Sequence, residues 1–106
     1  MDKVTTLADI VQHEVELYDE GDSFKAQTFA LSDMQRQIYA VVVVPDLPRP
    51  FPARVIVMAR VVGDYVVIDE DTTDKPLVEA LMINGGIPRE QIILAYAGET
   101  FPAQQP

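Results

Sequence analysis

The feature that most constrains the fold is the run Tyr-Ala-Val-Val-Val-Val at residues 39–44, which is followed at once by four prolines within residues 45–52. A continuous apolar run rich in β-branched residues is typical of a central strand that is covered on both faces. Proline has no backbone N–H to donate to a sheet and therefore forbids regular pairing beyond the run. The pattern predicts a central strand, covered on each side, that ends in a stiff loop at residues 45–52.

Three further strand segments surround this run. A polar connection at residues 32–36 joins the segment 24–31 to the segment 37–44. Two more segments, 54–62 and 65–69, are separated by Gly63-Asp64, which is a two-residue hairpin signal because glycine adopts a positive φ at little cost. Short connections favour antiparallel neighbours, so the four segments predict an antiparallel meander.

An amphipathic helix is predicted at residues 6–20, before the strands. Its apolar side chains recur at three- and four-residue spacing, and no glycine or proline interrupts them. Thr6 and Asp9 form a weak capping box at its start, and Gly21 lies just past its end, where a left-handed residue is common.

A second helix is predicted after the strands. It opens near Pro76 with Thr73 or Asp74 as its cap, and the sequence Asn84-Gly85-Gly86 ends it. A tight helical turn at residues 87–91 and a fifth strand at residues 92–96 follow. The order α-β-β-β-β-α-β predicts an α+β fold in which the helices pack on one face of an antiparallel sheet.

The chain length of 106 residues fits one domain, which we place at residues 1–100, with a frayed tail at residues 101–106. There is no cysteine, so neither a disulfide nor a thiolate metal site is available. The N-terminus has no signal peptide pattern, and no apolar stretch is long enough for a membrane span. We therefore expect a cytoplasmic protein without a membrane partner.

The net charge of −9 is spread unevenly along the chain. Residues 1–22 hold seven acidic residues and one basic residue, residues 64–74 hold five acidic residues and no basic one, and residues 23–63 carry a net charge of +3. A negative field repels phosphate groups, so direct nucleic-acid binding is not expected. The alternative, a regulatory protein that binds DNA directly, would use Arg36, Arg54 and Arg60.

The densest group of candidate catalytic residues is the acidic turn at residues 69–74. The Asp-x-Asp pattern of Asp69 and Asp71 after a strand is similar to that of dehalogenase-type phosphatases, but the strand closes a hairpin and too few residues follow it. A calcium loop would require glycine and glutamate where Asp74 and Ala80 stand. With one histidine, His13, and no cysteine, we predict no catalytic residue, no metal and no cofactor. A divalent-metal-dependent enzyme at Asp69 and Asp71 is the least favoured alternative.

Glu14 lies inside the apolar stripe of the first helix, where a carboxylate is unusual. It could lie at the rim, pair with a neighbouring arginine, face a partner or titrate. Together with other acids of the first helix and the acidic turn, it predicts a protein-binding surface that consists of Glu14, Glu16, Asp19, Asp69, Asp71 and Asp74.

Several segments within residues 1–96 resemble those of a known family. The most specific of them follows a helix and reads Gly86-Ile87-Pro88-Arg89-Glu90-Gln91-Ile92-Ile93-Leu94. The others are Met1-Asp2-Lys3-Val4, Glu16-Leu17-Tyr18, Gln27-Thr28-Phe29 with Tyr39, Gly63-Asp64-Tyr65-Val66-Val67-Ile68 and Leu77-Val78-Glu79-Ala80-Leu81. Together they resemble the XisI family, the small fdxN element excision controlling factors of cyanobacteria and related bacteria.

The resemblance implies a non-catalytic accessory factor in the site-specific excision of a DNA element, alongside an XisH protein and a site-specific recombinase. It offers no catalytic residue. We therefore expect an XisH-like protein as the partner, with the acidic surface facing a basic protein because opposite charges steer such pairs together. A homodimer is a further option, since the predicted sheet has an exposed edge and an apolar strand.

Overall fold

The computed structural model describes residues 5–102, which form a single sheet with two helices packed against it. Two short 3₁₀ turns, Arg89–Gln91 and Ala95–Ala97, flank the last strand. The helices and strands in chain order are α1 (Leu7–Glu16), β1 (Asp22–Ser23), β2 (Ala26–Asp33), β3 (Ile38–Pro45), β4 (Arg54–Val62), β5 (Tyr65–Asp71), α2 (Leu77–Ile83) and β6 (Ile92–Leu94).

The six strands stand in the sheet in the order in which they occur along the chain. Strands β1 to β5 are antiparallel to their neighbours, which confirms the predicted α+β fold and its meander. Strand β6 is parallel to β5, because the chain passes through α2 before it returns to the sheet. The short β1 and this parallel pairing are the two features that the predicted order lacked.

Helix α1 starts as predicted and ends four residues earlier than predicted. The Thr6 hydroxyl accepts a hydrogen bond from the Asp9 N–H, and the Asp9 carboxylate accepts one from the Thr6 N–H, which confirms the capping box. The Tyr18 N–H bonds to the Val15 carbonyl, a tightened last turn, and the Tyr18 hydroxyl donates to the Lys75 carbonyl. This contact ties the segment after α1 to the turn that precedes α2.

Helix α2 has a different cap from either predicted one. Pro76 occupies the N-cap position, and the Leu77 N–H donates to Asp71 Oδ2 at 2.7 Å. The cap is therefore supplied by Asp71, which the acidic turn brings back over the start of the helix, and not by Thr73 or Asp74. A carboxylate at this position also interacts favourably with the partial positive charge of a helix N-terminus.

The sequence Asn84-Gly85-Gly86 ends α2, as predicted. Asn84 is the C-cap, and Gly86 has a φ of 68°. A Cβ atom on Gly85 would lie 2.7 Å from Ile10 Cγ2 and 2.7 Å from the Leu81 carbonyl oxygen. Glycine at this position therefore allows α1 to pack closely against the end of α2.

The core lies between the two helices and one face of the sheet. Tyr39 and Val41 of β3 point into it and are buried, whereas the alternate positions of the same strand are only half-buried. The prediction that this strand is covered on both sides is therefore wrong, because both helices pack on the same face. The fully buried core side chains include Val11, Val15, Val41, Val57, Val66, Ile68, Leu77 and Leu81.

Strand limits and loops differ from the predictions by one or two residues. Phe24 lies before β2 and is 88% exposed. Pro45 still pairs with Ala26 in the sheet, so the proline-rich loop begins at Asp46, one residue later than predicted. The Gly63 hairpin is confirmed, since Val62 faces Tyr65 across the turn.

The last described residues cross the face of the sheet that the helices leave free. The ring of Phe101 packs edge-on against Tyr65, with 5.7 Å between ring centroids. Val67 and Ile93, on that face of β5 and β6, are buried. The domain limit at residue 100 stays a prediction, and residues 103–106 of the predicted tail, like the segment Met1-Asp2-Lys3-Val4, lie outside the described residues.

Candidate functional site

Asp19, one of the predicted partner-binding acids, is held by hydrogen bonds within the chain. Its Oδ1 atom accepts from the Thr28 hydroxyl at 2.6 Å and from the Gly21 N–H at 3.1 Å. Its Oδ2 atom accepts from the Ala30 N–H on the outer edge of β2 at 3.1 Å. These hydrogen bonds hold the pKa of the Asp19 carboxyl below its ordinary value, and the hydrogen bond from Thr28 contributes most.

Asp69 and Asp71 also have partners within the chain. Asp69 Oδ2 lies 2.7 Å from Arg60 Nε in an ion pair between neighbouring strands. Asp71 Oδ1 accepts from the Thr73 hydroxyl at 2.6 Å and the Thr73 N–H at 2.9 Å, while its other oxygen caps Leu77. The two carboxylates that were considered as a metal site therefore serve separate purposes, one in the sheet and one at the helix.

Glu14 is buried between the helices, with 6% of its surface exposed. Its Oε1 atom accepts from the Asn84 side-chain amide at 3.2 Å, and its Oε2 atom lies 3.9 Å from His13 Nε2. The position inside the apolar stripe is thus explained by a partner at the end of α2, 70 residues further along the chain.

Glu16 and Asp74 are the two exposed members of the predicted set. Glu16 lies at the end of α1 and accepts from the Gln12 side chain at 3.4 Å. Asp74 lies in the turn before α2 and lines the grooves around Tyr18. The structure therefore does not bring the six predicted residues into one surface: Asp69 pairs within the sheet, and the others surround the helices.

A groove between the two helices gathers acids that the sequence interpretation did not group together. Its central part has a volume of about 240 Å³ and includes Glu14, Glu20, Tyr18 and Lys75. Two adjoining grooves share Tyr18 and Lys75 and add Asp74 and Glu79. We call this surface the interhelix groove; its rim carries the exposed apolar side chains Leu17 and Ile83, which are 60% and 79% exposed.

Tyr18 shows the electrostatic character of the interhelix groove. Burial raises the pKa of its hydroxyl, and the nearby carboxylates of Asp71, Glu14 and Glu79 raise it further. A negative potential of this kind disfavours a phenolate anion and favours a cationic side chain at the same place. Lys75 is the one basic residue that lines these grooves within residues 5–102.

The sequence gives little indication that this groove exists. The Tyr18 hydroxyl bonds a carbonyl 57 residues away. Glu20 falls in the turn that was predicted as the end of a helix, and Glu79 occupies an exposed position of α2. Only the packing of the two helices side by side makes these acids neighbours, so no local pattern could have identified them.

The three arginines of the DNA-binding alternative have partners in the described part of the chain. Arg60 pairs with Asp69, and Arg36 Nε lies 3.8 Å from Asp33 Oδ2. The Arg54 guanidinium stands 5.6 Å from the centre of the Phe51 ring.

The described residues contain neither a cluster of metal ligands nor a membrane-spanning helix. Among residues 5–102, no group of three or more His, Cys, Asp or Glu side chains could hold a metal ion. Over the same residues, neither helix is long and apolar enough to cross a bilayer.

Comparison with known proteins identifies relatives of this chain. The family model described as XisI protein matches residues 1–102. A crystal structure of a XisI-like protein from Anabaena variabilis is similar, with a TM-score of 0.72 and 19% identity over 91% of this chain and 84% of the other. The fdxN element excision controlling factor XisI from the same organism has a TM-score of 0.60 and 21% identity over 83% of each chain. No curated protein matches the chain.

Proposed function

The chain belongs to the XisI family, and from this premise we propose that it is a non-catalytic controlling factor of DNA element excision that works by binding a protein partner. The similar structure named as an fdxN element excision controlling factor supports the role in excision. We place this work in the cytoplasm, together with a site-specific recombinase and an XisH-like protein.

The observation that carries the proposal is the interhelix groove. Glu14, Glu20, Asp74 and Glu79 surround Tyr18, and the exposed apolar side chains of Leu17 and Ile83 lie beside them. Carboxylates around an apolar strip suit a partner segment with basic and apolar side chains, because charge steers the encounter and apolar burial holds it.

The proposed surface retains some predicted residues and changes the role of others. Glu14 and Asp74 line the groove, whereas Glu16 lines a separate depression on α1 with Asp9 and His13. Asp19, Asp69 and Asp71 support the fold through their internal hydrogen bonds. We expect their substitution to weaken the protein itself and not the contact alone.

The test is binding of a purified XisH-like protein to the wild type and to a triple variant, Glu20→Lys, Asp74→Lys and Glu79→Lys, measured by calorimetry. All three positions are exposed, so the variant should fold. Because like charges across an interface cost several kcal/mol, we expect affinity to fall by about 100-fold or more. Binding should also be lost in about 1 M salt, where the Debye length is about 3 Å.

A matched control separates the groove from net charge alone. The variant Asp46→Lys, Asp64→Lys and Glu90→Lys changes the charge by the same amount at three exposed positions that do not line the groove. This control should bind like the wild type. Equal loss in both triple variants, or no complex with the wild type at low salt, would contradict the proposal.

A further inference from the structure

Among residues 5–102, the two helices pack on one face of the sheet and leave the other, apolar face partly exposed over β2, β3 and β4. The register places the side chains of Phe29 and Leu31 on the same face as the alternate residues of β3, and these two are 44% and 54% exposed. We call this surface the open face; its apolar members are Phe29, Leu31, Ile38, Ala40, Val42, Val44, Val55 and Met58. The C-terminal segment covers only the continuation of this face over β5 and β6.

Some backbone groups at both edges of the sheet are already paired within the chain. On the β2 edge, β1 pairs with Ala26 and Gln27, and Asp19 accepts the hydrogen bond from the Ala30 N–H. On the β6 edge, Glu99 Oε1 accepts from the Leu94 N–H at 2.9 Å. A carboxylate that already accepts from an edge donor disfavours strand pairing at that point, which favours association through a face of the sheet.

The charges of the open face nearly cancel, although the whole chain carries −9. Arg60 and Asp69 neutralise each other there at 2.7 Å, and Asp33 pairs with Arg36 at one end of β2. The partner that suits the interhelix groove is basic, and it gains no electrostatic attraction from a nearly neutral apolar face. A second copy of this chain is repelled at the groove by like charges and meets fewer of them at the open face, where Glu70, opposite Met58, adds one carboxylate to the two ion pairs.

We propose that two copies of the chain associate through their open faces to form a two-fold symmetric dimer. Three strands of eight to nine residues span an area of about 26 Å by 14 Å. Only part of that area is exposed apolar surface, since Phe29 and Leu31 are its exposed members and the other six are half-buried. The area lies below what an obligate dimer buries, so the dimer is a reversible one that forms as concentration rises. This interface is separate from the interhelix groove and does not depend on the proposed partner.

Sedimentation velocity from low micromolar to millimolar concentration tests the dimer, with Leu31→Glu as the disrupting variant. The wild type should shift from monomer toward dimer as concentration rises, and the shift should strengthen with salt because salt screens the repulsion between two acidic chains. Leu31→Glu should stay monomeric over the same range. Phe29→Lys is a second variant on the same face, and a circular dichroism spectrum verifies that each variant is folded.

Leu17→Glu is the matched control, because Leu17 is as exposed as Leu31 and lies in the interhelix groove. This variant should dimerise like the wild type. The proposal is overturned if the wild type is monomeric throughout, or if folded Leu31→Glu and Phe29→Lys dimerise as the wild type does. It is also overturned if Leu17→Glu abolishes the dimer and Leu31→Glu does not.

Discussion

The two faces of the sheet differ in burial far more than in composition. On β3, Tyr39 and Val41 lie beneath the helices and are at most 2% exposed, whereas Ala40 and Val42 on the opposite face are half-buried. Both sets are apolar, so hydrophobicity alone does not tell which face becomes the core. The number of helices decides, since two short helices and a short C-terminal segment cannot cover both faces of six strands.

The largest contrast is expected from matched leucine substitutions on the two faces. Leu81→Ala removes a fully buried side chain on the covered side and should lower the free energy of unfolding by about 3 kcal/mol. Leu31→Ala on the open face should lower it by less than about 1 kcal/mol, because Leu31 is 54% exposed. Urea titrations at low protein concentration measure both. Equal losses would show that the open face is part of the monomer core.

The close packing on the covered side is tested by Gly85→Ala. The added Cβ would meet Ile10 Cγ2 and the Leu81 carbonyl oxygen at 2.7 Å, so α1 and α2 must separate, which should cost about 2 kcal/mol. Gly21→Ala is the control, because Gly21 has a φ of 79° but open space around its Cα. It should cost about 1 kcal/mol from backbone conformation alone. A smaller loss for Gly85→Ala than for Gly21→Ala would show that the helices adjust freely.

The hydrogen bond between the two helices is tested by Asn84→Ala. This change leaves the buried Glu14 carboxyl without its amide donor and should cost about 1–2 kcal/mol in thermal or urea unfolding. The double variant Glu14→Ala with Asn84→Ala should lose less than the sum of the two single variants, because the two groups interact. Additive losses would mean that the pair is not coupled.

The smallest effect on stability is expected from Asp19, which accepts a hydrogen bond at the β2 edge of the sheet. The folded pKa of Asp19 is lowered, so its contribution to stability is present above the ordinary aspartate pKa and is lost as the pH falls from about 4 through the folded pKa. Asp19→Asn should unfold with a slightly weaker pH dependence between pH 5 and pH 2 than the wild type. Asp64→Asn, in an exposed turn, is the control for the loss of one negative charge. The midpoint of urea unfolding across this pH range measures both, and identical curves for the two variants would exclude a special role for Asp19.

Features set by neighbouring residues could be predicted from the sequence. The capping box of Thr6, the hairpin at Gly63 and the helix end at Asn84 each depend on a few consecutive residues, and all three are present. The end of α1 was misjudged because the residues after it bond to distant parts of the chain, Tyr18 to the Lys75 carbonyl and Asp19 to Thr28 and Ala30. The cap on α2 was misjudged because Asp71 reaches it across six residues.

The candidate sites depended on arrangements that no local pattern encodes. Most of the acids predicted to face a partner, such as Asp19, are hydrogen-bonded to other residues of the chain. The acids of the interhelix groove come from separate elements. Charge counted along the chain located the acidic regions but could not tell which carboxylates were already bonded. The open face could not be foreseen for the same reason, since an apolar strand does not reveal how many layers cover it.

The docking of α1 has a consequence for the order of folding. This helix comes first in the chain, yet its packing partners β3, β4 and α2 are all synthesised later. Contacts so distant in sequence form slowly, because the entropy of closing a long loop is lost before they can form. During synthesis the apolar stripe of α1 therefore stays exposed to solvent and to chaperones until β3 and β4 have emerged, and its cover is complete only when α2 follows. The acidic groove forms only when α2 has packed beside α1, so a partner that recognises it would discriminate against every incomplete chain that lacks α2.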